Sequence, residues 1–269
     1  MENYEAYFEA NRSLWNQKTP VHLSSDFYNM PAFLAGQSSL NRIELSELGG
    51  VAGKSMLHLQ CHFGQDSLSW ARLGAKVTGI DISDEAIEQA KALNAQLNLD
   101  ATFVRSNLYN LKENLQGQFD VVFTSYGTIG WLPDLEKWAA IIDHFLKPGG
   151  TFYIAEFHPV LWMFDDNFGK IIYPYHNTHE PIITETEGTY ADKNAPIKHI
   201  EYGWNHGLGE VVTALTSRGI YLEFLHEFPY SPYNCFANMV QGEDGFWRIR
   251  GYENMLPMVY SIKARKKYS

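Results

Sequence analysis

SMLHLQCHFGQDSLSWARLGAKVTGIDIS, from Ser55 to Ser83, is the stretch on which the fold turns. Met56, Leu57 and Leu59 make a short apolar strand, and a turn through Gly64 follows. Gln65 to Arg72 has helical spacing, and Val77 to Ile80 is a second apolar strand ending at Asp81. This order puts a carboxylate at the tip of the second strand, beside a loop that a ligand can approach closely, which is the layout of an adenosine-cofactor pocket. Gly64 can adopt the unusual angles of a tight turn and let a ligand touch the main chain. The helix behind it aims free N–H groups at anything bound there. A turn glycine without a ligand is the plainer alternative. Asp81 can accept two hydrogen bonds from a ribose diol; its other reading is a helix cap, a role that Ser83 already fills. Ile82 then lies against an adenine face or packs in the core.

Working outward, Ser83 caps a helix whose Ala86, Ile87, Ala90, Leu93 and Leu97 share one face. Strands are predicted at Thr102 to Val104, Phe119 to Phe123 and Thr151 to Phe157. The helix from Leu135 to Leu146 stops at Lys147-Pro148-Gly149-Gly150. Such alternation implies right-handed crossovers and helices on both faces of a parallel sheet. Residues 1–48 carry no strand pattern and are expected to form an N-terminal helical lid. Within it Tyr4, Tyr7, Phe8, Leu14 and Trp15 recur at helical spacing, 22–36 reads as loop, and a helix spans Leu40 to Leu48. The remainder, 49–269, is expected to be one domain with an irregular, aromatic-rich insertion at 159–203 that caps the site. Beyond it come a helix near Glu210 to Arg218, a strand from Ile220 to Phe228, an irregular stretch at 229–256, and a closing strand from Met258 to Arg265.

The 269 residues carry a formal net charge of −10, which argues against nucleic acid as the main partner. Arg265-Lys266-Lys267 reads as a solvated end. Two cysteines make no disulfide framework, the polar, acidic N-terminus is wrong for a signal peptide, and no apolar run approaches membrane-spanning length. A soluble, cytoplasmic protein with a small-molecule partner and no membrane partner is expected.

The motifs resemble those of class I S-adenosylmethionine-dependent methyltransferases of the Rossmann-like type, over about Lys54 to Arg265. In that family the first strand and turn run hydrophobic-Asp-hydrophobic-Gly-x-Gly-x-Gly. Here the matching run is Leu57-His58-Leu59-Gln60-Cys61-His62-Phe63-Gly64, so the third glycine survives, His58 stands for the acid, and Gln60 and His62 replace two glycines. FVRSNL (103–108) resembles the end of the family's third strand, with Asn107 where an acid or amide takes the adenine amino group. FDVVFTSYGTIGWL (119–132) resembles the fourth strand and its loop, and LKPGG (146–150) the turn before the fifth. The resemblance implies a doubly wound α/β sheet of seven strands, mainly parallel, whose antiparallel last strand is Met258 to Arg265 beside the fifth. It implies S-adenosyl-L-methionine as cofactor. The implied binding residues are Gln60, His62, Gly64, Asp66 and Ser67 around the turn, Asp81 and Ile82 after the second strand, and Asn107, Leu108, Ser125 and Tyr126 after the third and fourth. An NAD-dependent oxidoreductase fits less well, because His62 and Phe63 would crowd a pyrophosphate.

Methyl transfer from a sulfonium is an in-line displacement, so such a site mainly positions the nucleophile and excludes water. Ser125, Tyr126, Thr128, Trp131, Glu156 and His158 end the fourth and fifth strands and face that space. Tyr126 and His158 are the acid/base candidates. Glu156 is a candidate amine ligand or an ion-pair partner inside the cap. His176, His179, His199 and His206 have no acidic partner at metal-ligand spacing, so no metal is expected. Phe157, Trp162, Phe164, Phe168, Tyr173 and Tyr175 suit a small, partly apolar or cationic acceptor, or else form a core for the cap. The fourth strand ends in SYGTIG, without the Asn/Asp-Pro-Pro-aromatic motif of amide and adenine N-methylating relatives. The leading expectation is methyl transfer to a small-molecule N, O or S acceptor; a non-catalytic cofactor-binding protein is the alternative.

Overall fold

Three helices precede the first strand in the computed structural model, which describes residues 4–268. They are α1 (Glu5–Ser24), α2 (Met30–Leu34) and α3 (Arg42–Leu48). The loop expected at 22–36 is thus corrected: α1 runs through Pro20, and a further short helix begins at Met30. A proline in a helix interior removes one backbone hydrogen bond. Packing compensates, because Lys18, Thr19 and His22 on the same turns are buried. Asn29, in the left-handed region at φ 40°, caps α2 by accepting the Ala32 N–H.

Strands and helices then alternate: β1 (Ser55–Leu59), α4 (Gln65–Arg72), β2 (Lys76–Asp81), α5 (Asp84–Gln96), β3 (Thr102–Arg105), α6 (Leu111–Asn114), β4 (Phe119–Ser125), α7 (Leu135–Phe145) and β5 (Leu146–Phe157). The cap holds an antiparallel hairpin, β6 (Ile182–Glu187) with β7 (Lys198–Gly203), where the sequence suggested only irregular chain. After it come α8 (Leu208–Thr216) and β8 (Ile220–Phe228), a second hairpin of β9 (Met239–Gln241) and β10 (Trp247–Ile249), and β11 (Val259–Lys266).

The main sheet has seven strands in the order β3-β2-β1-β4-β5-β11-β8. Strands β1 to β5 pair in parallel, and β11 runs antiparallel to both β5 and β8. The closing strand is therefore inserted beside the fifth, as the resemblance implied. Alternate residues of β1 feed opposite faces: Leu57 and Leu59 join the core with Trp138, Ile142 and Leu215 of α7 and α8, while Met56 packs with Trp70 of α4. Ser83 caps α5 by accepting the Ala86 N–H at 3.0 Å. The C-terminal ends of β1, β2 and β4 share one edge of the sheet, where ligands of open α/β sheets bind.

α1 lies across that edge and joins the cap. The Asn11 side chain pairs both ways with the Tyr202 backbone, donating to its carbonyl at 2.8 Å and accepting its N–H at 3.1 Å. Lys18 pairs with Glu201, and the Tyr28 and Tyr190 hydroxyls are hydrogen-bonded. No helix among the described residues is long and apolar enough to cross a membrane.

Candidate cofactor and acceptor cavity

A cavity of about 1300 Å³ opens over the ends of β1, β2 and β4 and extends under α1 and the cap. Its floor is the turn after β1. Gln60 and His62, which replace two glycines of the motif, sit at φ 54° and 53°, and Gly64 at 82°. The backbone keeps the left-handed shape that glycine favours, at roughly 1–2 kcal/mol for each non-glycine residue. Tertiary bonds hold it: the Cys61 N–H donates to Ile80 O at 2.8 Å, and the His62 N–H to Asp81 Oδ2 at 2.8 Å. The added side chains reach other elements. Gln60 Nε2 donates to Thr128 O at 2.8 Å, and the His62 ring lies 5.2 Å from Trp15 and 5.1 Å from His22. Gln60 Oε1 and His62 Nε2 have no hydrogen-bond partner among the described residues.

Gly64 lines the cavity. A Cβ built there would stand 2.8 Å from a ring carbon of Phe103 and 3.1 Å from Ala90 Cβ. The missing side chain therefore also makes room for β3 and α5, and its positive φ makes the turn.

Asp81 lines the cavity and is 9% exposed. Oδ1 accepts the Ser83 N–H at 2.9 Å and Oδ2 that of His62, which leaves lone pairs on both oxygens, and neither has an ion-pair partner among the described residues. Burial raises its pKa to about 6. Ile82, Asn107 and Leu108 line the same region. Asn107 Oδ1 already accepts the Tyr109 N–H at 3.0 Å, so it caps a short turn as well as facing the cavity.

Asp66, in the first turn of α4, also lines the cavity. It accepts hydroxyl bonds from Ser39 at 2.6 Å and Ser125 at 3.1 Å, and burial raises its pKa. Ser67, one residue on, points about 100° round the helix, is fully buried, and bonds His58 Nδ1 at 2.7 Å. It lies outside the cavity, which corrects its placement among the cofactor residues. Burial holds His58 at about 3, a neutral imidazole where the motif carries an acid.

Around the end of β4, the structure separates the two acid/base candidates. The ring of Tyr126 lines the cavity, but its hydroxyl donates to Glu44 Oε2 at 2.9 Å, and burial beside that carboxyl pushes its pKa far up. Glu44 is fully buried, with burial raising its pKa to about 7. His158 is not in the cavity wall. Its N–H continues the ladder to Met258 O, and its ring is carried to Glu227, with Nε2 2.8 Å from Oε1. This corrects the expectation that it faces the acceptor.

Glu156 does line the cavity but is neither an amine ligand nor an ion pair in the cap. Its oxygens accept the backbone N–H groups of Gly127, Thr128 (2.7 Å), Ile129 (3.2 Å) and Phe157 (2.7 Å), together with the Thr128 hydroxyl at 2.9 Å. It fixes the loop after β4. Sequence reasoning missed two further contributors, Lys18 and Glu44. Lys18, over the rings of Trp15 and Trp131, pairs with Glu201 on the cap. Glu44 was legible as the third residue of a capping box from Asn41, but its bond to Tyr126 was not. Among the described residues, no three His, Cys, Asp or Glu side chains converge to hold a metal.

Residues 56–150 match the family description "Methyltransferase domain". Over this segment the chain is similar to a methyltransferase domain. An uncharacterized methyltransferase of Synechocystis sp. is 32% identical over 136 residues, 49% of this chain and 60% of that protein. A ubiquinone biosynthesis O-methyltransferase of Shewanella pealeana is 28% identical over 121 residues, 44% and 51% of the two chains. The alignments thus span between half and three-fifths of the relatives' length. A solved S-adenosylmethionine-dependent methyltransferase from Mesorhizobium loti superposes with a TM-score of 0.55 at 19% identity, over 87% of this chain and all of that one. The charges of this cavity fit S-adenosyl-L-methionine. Asp81 offers free lone pairs to a diol, and among the described residues neither Asp66 nor Asp81 has an ion-pair partner, which suits a ligand bearing a sulfonium and an ammonium.

Proposed function

We propose that this chain binds S-adenosyl-L-methionine and transfers its methyl group to a small-molecule acceptor. The observation that carries the reading is the cavity itself. Two carboxylates, half-buried Asp66 and buried Asp81, face its cofactor end with no ion-pair partner among the described residues. At about 1300 Å³ it exceeds the roughly 300–1,000 Å³ of a pocket for one drug-sized ligand. Space therefore remains for an acceptor beneath α1 and the cap, which serve as a lid. When bound, the cofactor supplies an electrophilic methyl. Asp81 would hold the ribose diol, and Ile82, Asn107 and Leu108 would border the adenine. Trp131, Phe157 and Trp162 would shape the acceptor end and exclude water. Glu156 holds the loop that carries Thr128 and Trp131, so it positions without touching the reacting atoms.

With the Tyr126 hydroxyl bound to Glu44 and His158 outside, the cavity favours an acceptor already deprotonated or needing no base, since displacement at a sulfonium depends first on alignment. Among the histidines in the wall, His62 has an unpartnered Nε2, but burial, with His22 and Lys18 nearby, holds its pKa well below the usual imidazole range and makes it a poor proton acceptor. The O-methyltransferases among the relatives make oxygen acceptors the first to try. The net charge of −10 supports a small acceptor over RNA. Calorimetry with S-adenosylhomocysteine, followed by transfer of a labelled methyl group to a panel of phenols, carboxylates, thiols and amines, tests both steps. No binding would refute the reading, and binding without turnover on any acceptor class would favour a non-catalytic role.

A further inference from the structure

The first strand lacks the acid that the family motif places there, yet the cavity is not short of one. His58, held neutral by burial, occupies the strand position and bonds Ser67. One turn of chain away, Asp66 presents its carboxylate to the cavity beside the end of β4, steadied by the hydroxyls of Ser39 and Ser125. Tyr28, Tyr126 and Tyr233 border the same part of the cavity. A carboxylate with only hydroxyl partners, walled by aromatic rings, suits an ammonium group.

Resting on the methyltransferase reading above, we propose that Asp66 binds the α-ammonium of the cofactor's amino-acid end, so that the acid has moved from strand β1 to the first turn of α4. The bond is an N⁺–H donor to a carboxylate oxygen, with no change of covalent structure. Ser125 ties Asp66 to the strand end that the transferred methyl must pass, so the same contact sets the direction of the sulfonium.

The test compares equilibrium binding of S-adenosylhomocysteine with that of its desamino analogue, which keeps the adenosine, thioether and carboxylate. The wild-type protein is expected to prefer S-adenosylhomocysteine by about 10- to 100-fold, the range of one charge-assisted hydrogen bond. In Asp66→Asn the preference should fall to within about threefold, and adding His58→Asp to that variant should restore part of it. Equal affinity of the wild type for both ligands would overturn the proposal, and this arm needs no variant to fold. An undiminished preference in a folded Asp66→Asn protein would also overturn it. If Asp66 instead serves an amine acceptor, the two ligands bind the wild type alike while Asp66→Asn weakens only the amine. Failure of the wild type to bind S-adenosylhomocysteine at all would count against the methyltransferase reading.

Discussion

Replacing Glu156 by glutamine changes one oxygen to an NH₂ group and should damage the protein far more than its size suggests. Oε1 accepts the N–H groups of Gly127 and Phe157; Oε2 accepts those of Thr128 and Ile129 and the Thr128 hydroxyl. Whichever way the amide turns, its NH₂ meets two backbone N–H donors that cannot turn away. Two charge-assisted bonds are lost at roughly 1.5–3 kcal/mol each. The bonds that remain weaken because the acceptor is now neutral. Release of a buried charge returns part of this, on the order of 1–2 kcal/mol. The net cost should be about 2–4 kcal/mol, a large share of the roughly 5–15 kcal/mol that stabilises a typical protein. Urea unfolding of wild type and Glu156→Gln, followed by tryptophan fluorescence, measures it, and a parallel titration with S-adenosylhomocysteine should show weaker binding as the loop holding Thr128 and Trp131 loosens. A variant within about 0.5 kcal/mol of wild type would refute the reasoning, because it would mean the four N–H groups find other partners at no cost.

Three further outcomes are expected. Asp81→Asn should weaken S-adenosylhomocysteine binding by about 10- to 100-fold; wild-type affinity should rise with pH through about 6 as the carboxyl ionises and then level off, so affinity independent of pH between 5 and 8 would count against its role. Glu44 has a folded pKa of about 7, above its ordinary value, so its contribution to stability is full below about 4.5 and is lost as pH rises through 7. That change amounts to on the order of 3 kcal/mol, and melting curves between pH 4.5 and 8 should show Glu44→Gln gaining on the wild type as pH rises. Gly79→Ala should cost about 1–3 kcal/mol, since its Cβ would stand 2.8 Å from Phe103 and 2.9 Å from Cys61 Sγ. In a double-mutant cycle Phe103→Leu should recover part of that, and strict additivity of the two would show that the ring is not the obstacle.

The α/β alternation was legible because strands buried on both faces read as continuous apolar runs, as in Val77 to Ile80 and Thr151 to Phe157. The placement of the antiparallel strand came from the resemblance, since periodicity cannot say which neighbour a strand chooses. The cap hairpin was missed because IITETE alternates threonine with isoleucine and glutamate, a half-buried pattern without the usual apolar contrast. Asp81 was legible from its place at a strand tip. The roles of Glu156 and Glu44 were not, because each depends on backbone N–H groups or a hydroxyl delivered from elsewhere in the chain. Ser67 and His158 were misplaced for geometric reasons: one helical step separates Ser67 from Asp66, and the ladder to β11 takes His158 out of the cavity.

The seam between α1 and the cap bears on how the protein assembles. α1 meets its nearer partners early, through Asn16 to Ser83 and Arg12 to Asp84. Asn11, Lys18 and Tyr28 wait for residues 191, 183 and 162 positions further along the chain. On a ribosome the first helix would therefore dock by one flank and stand open along the other until most of the protein has been made. Contacts of such long range also form slowly in refolding. Pulse-labelled hydrogen exchange should accordingly show the amides of β1 and β4 protected before those of β7, with the roof closing last over a floor already built.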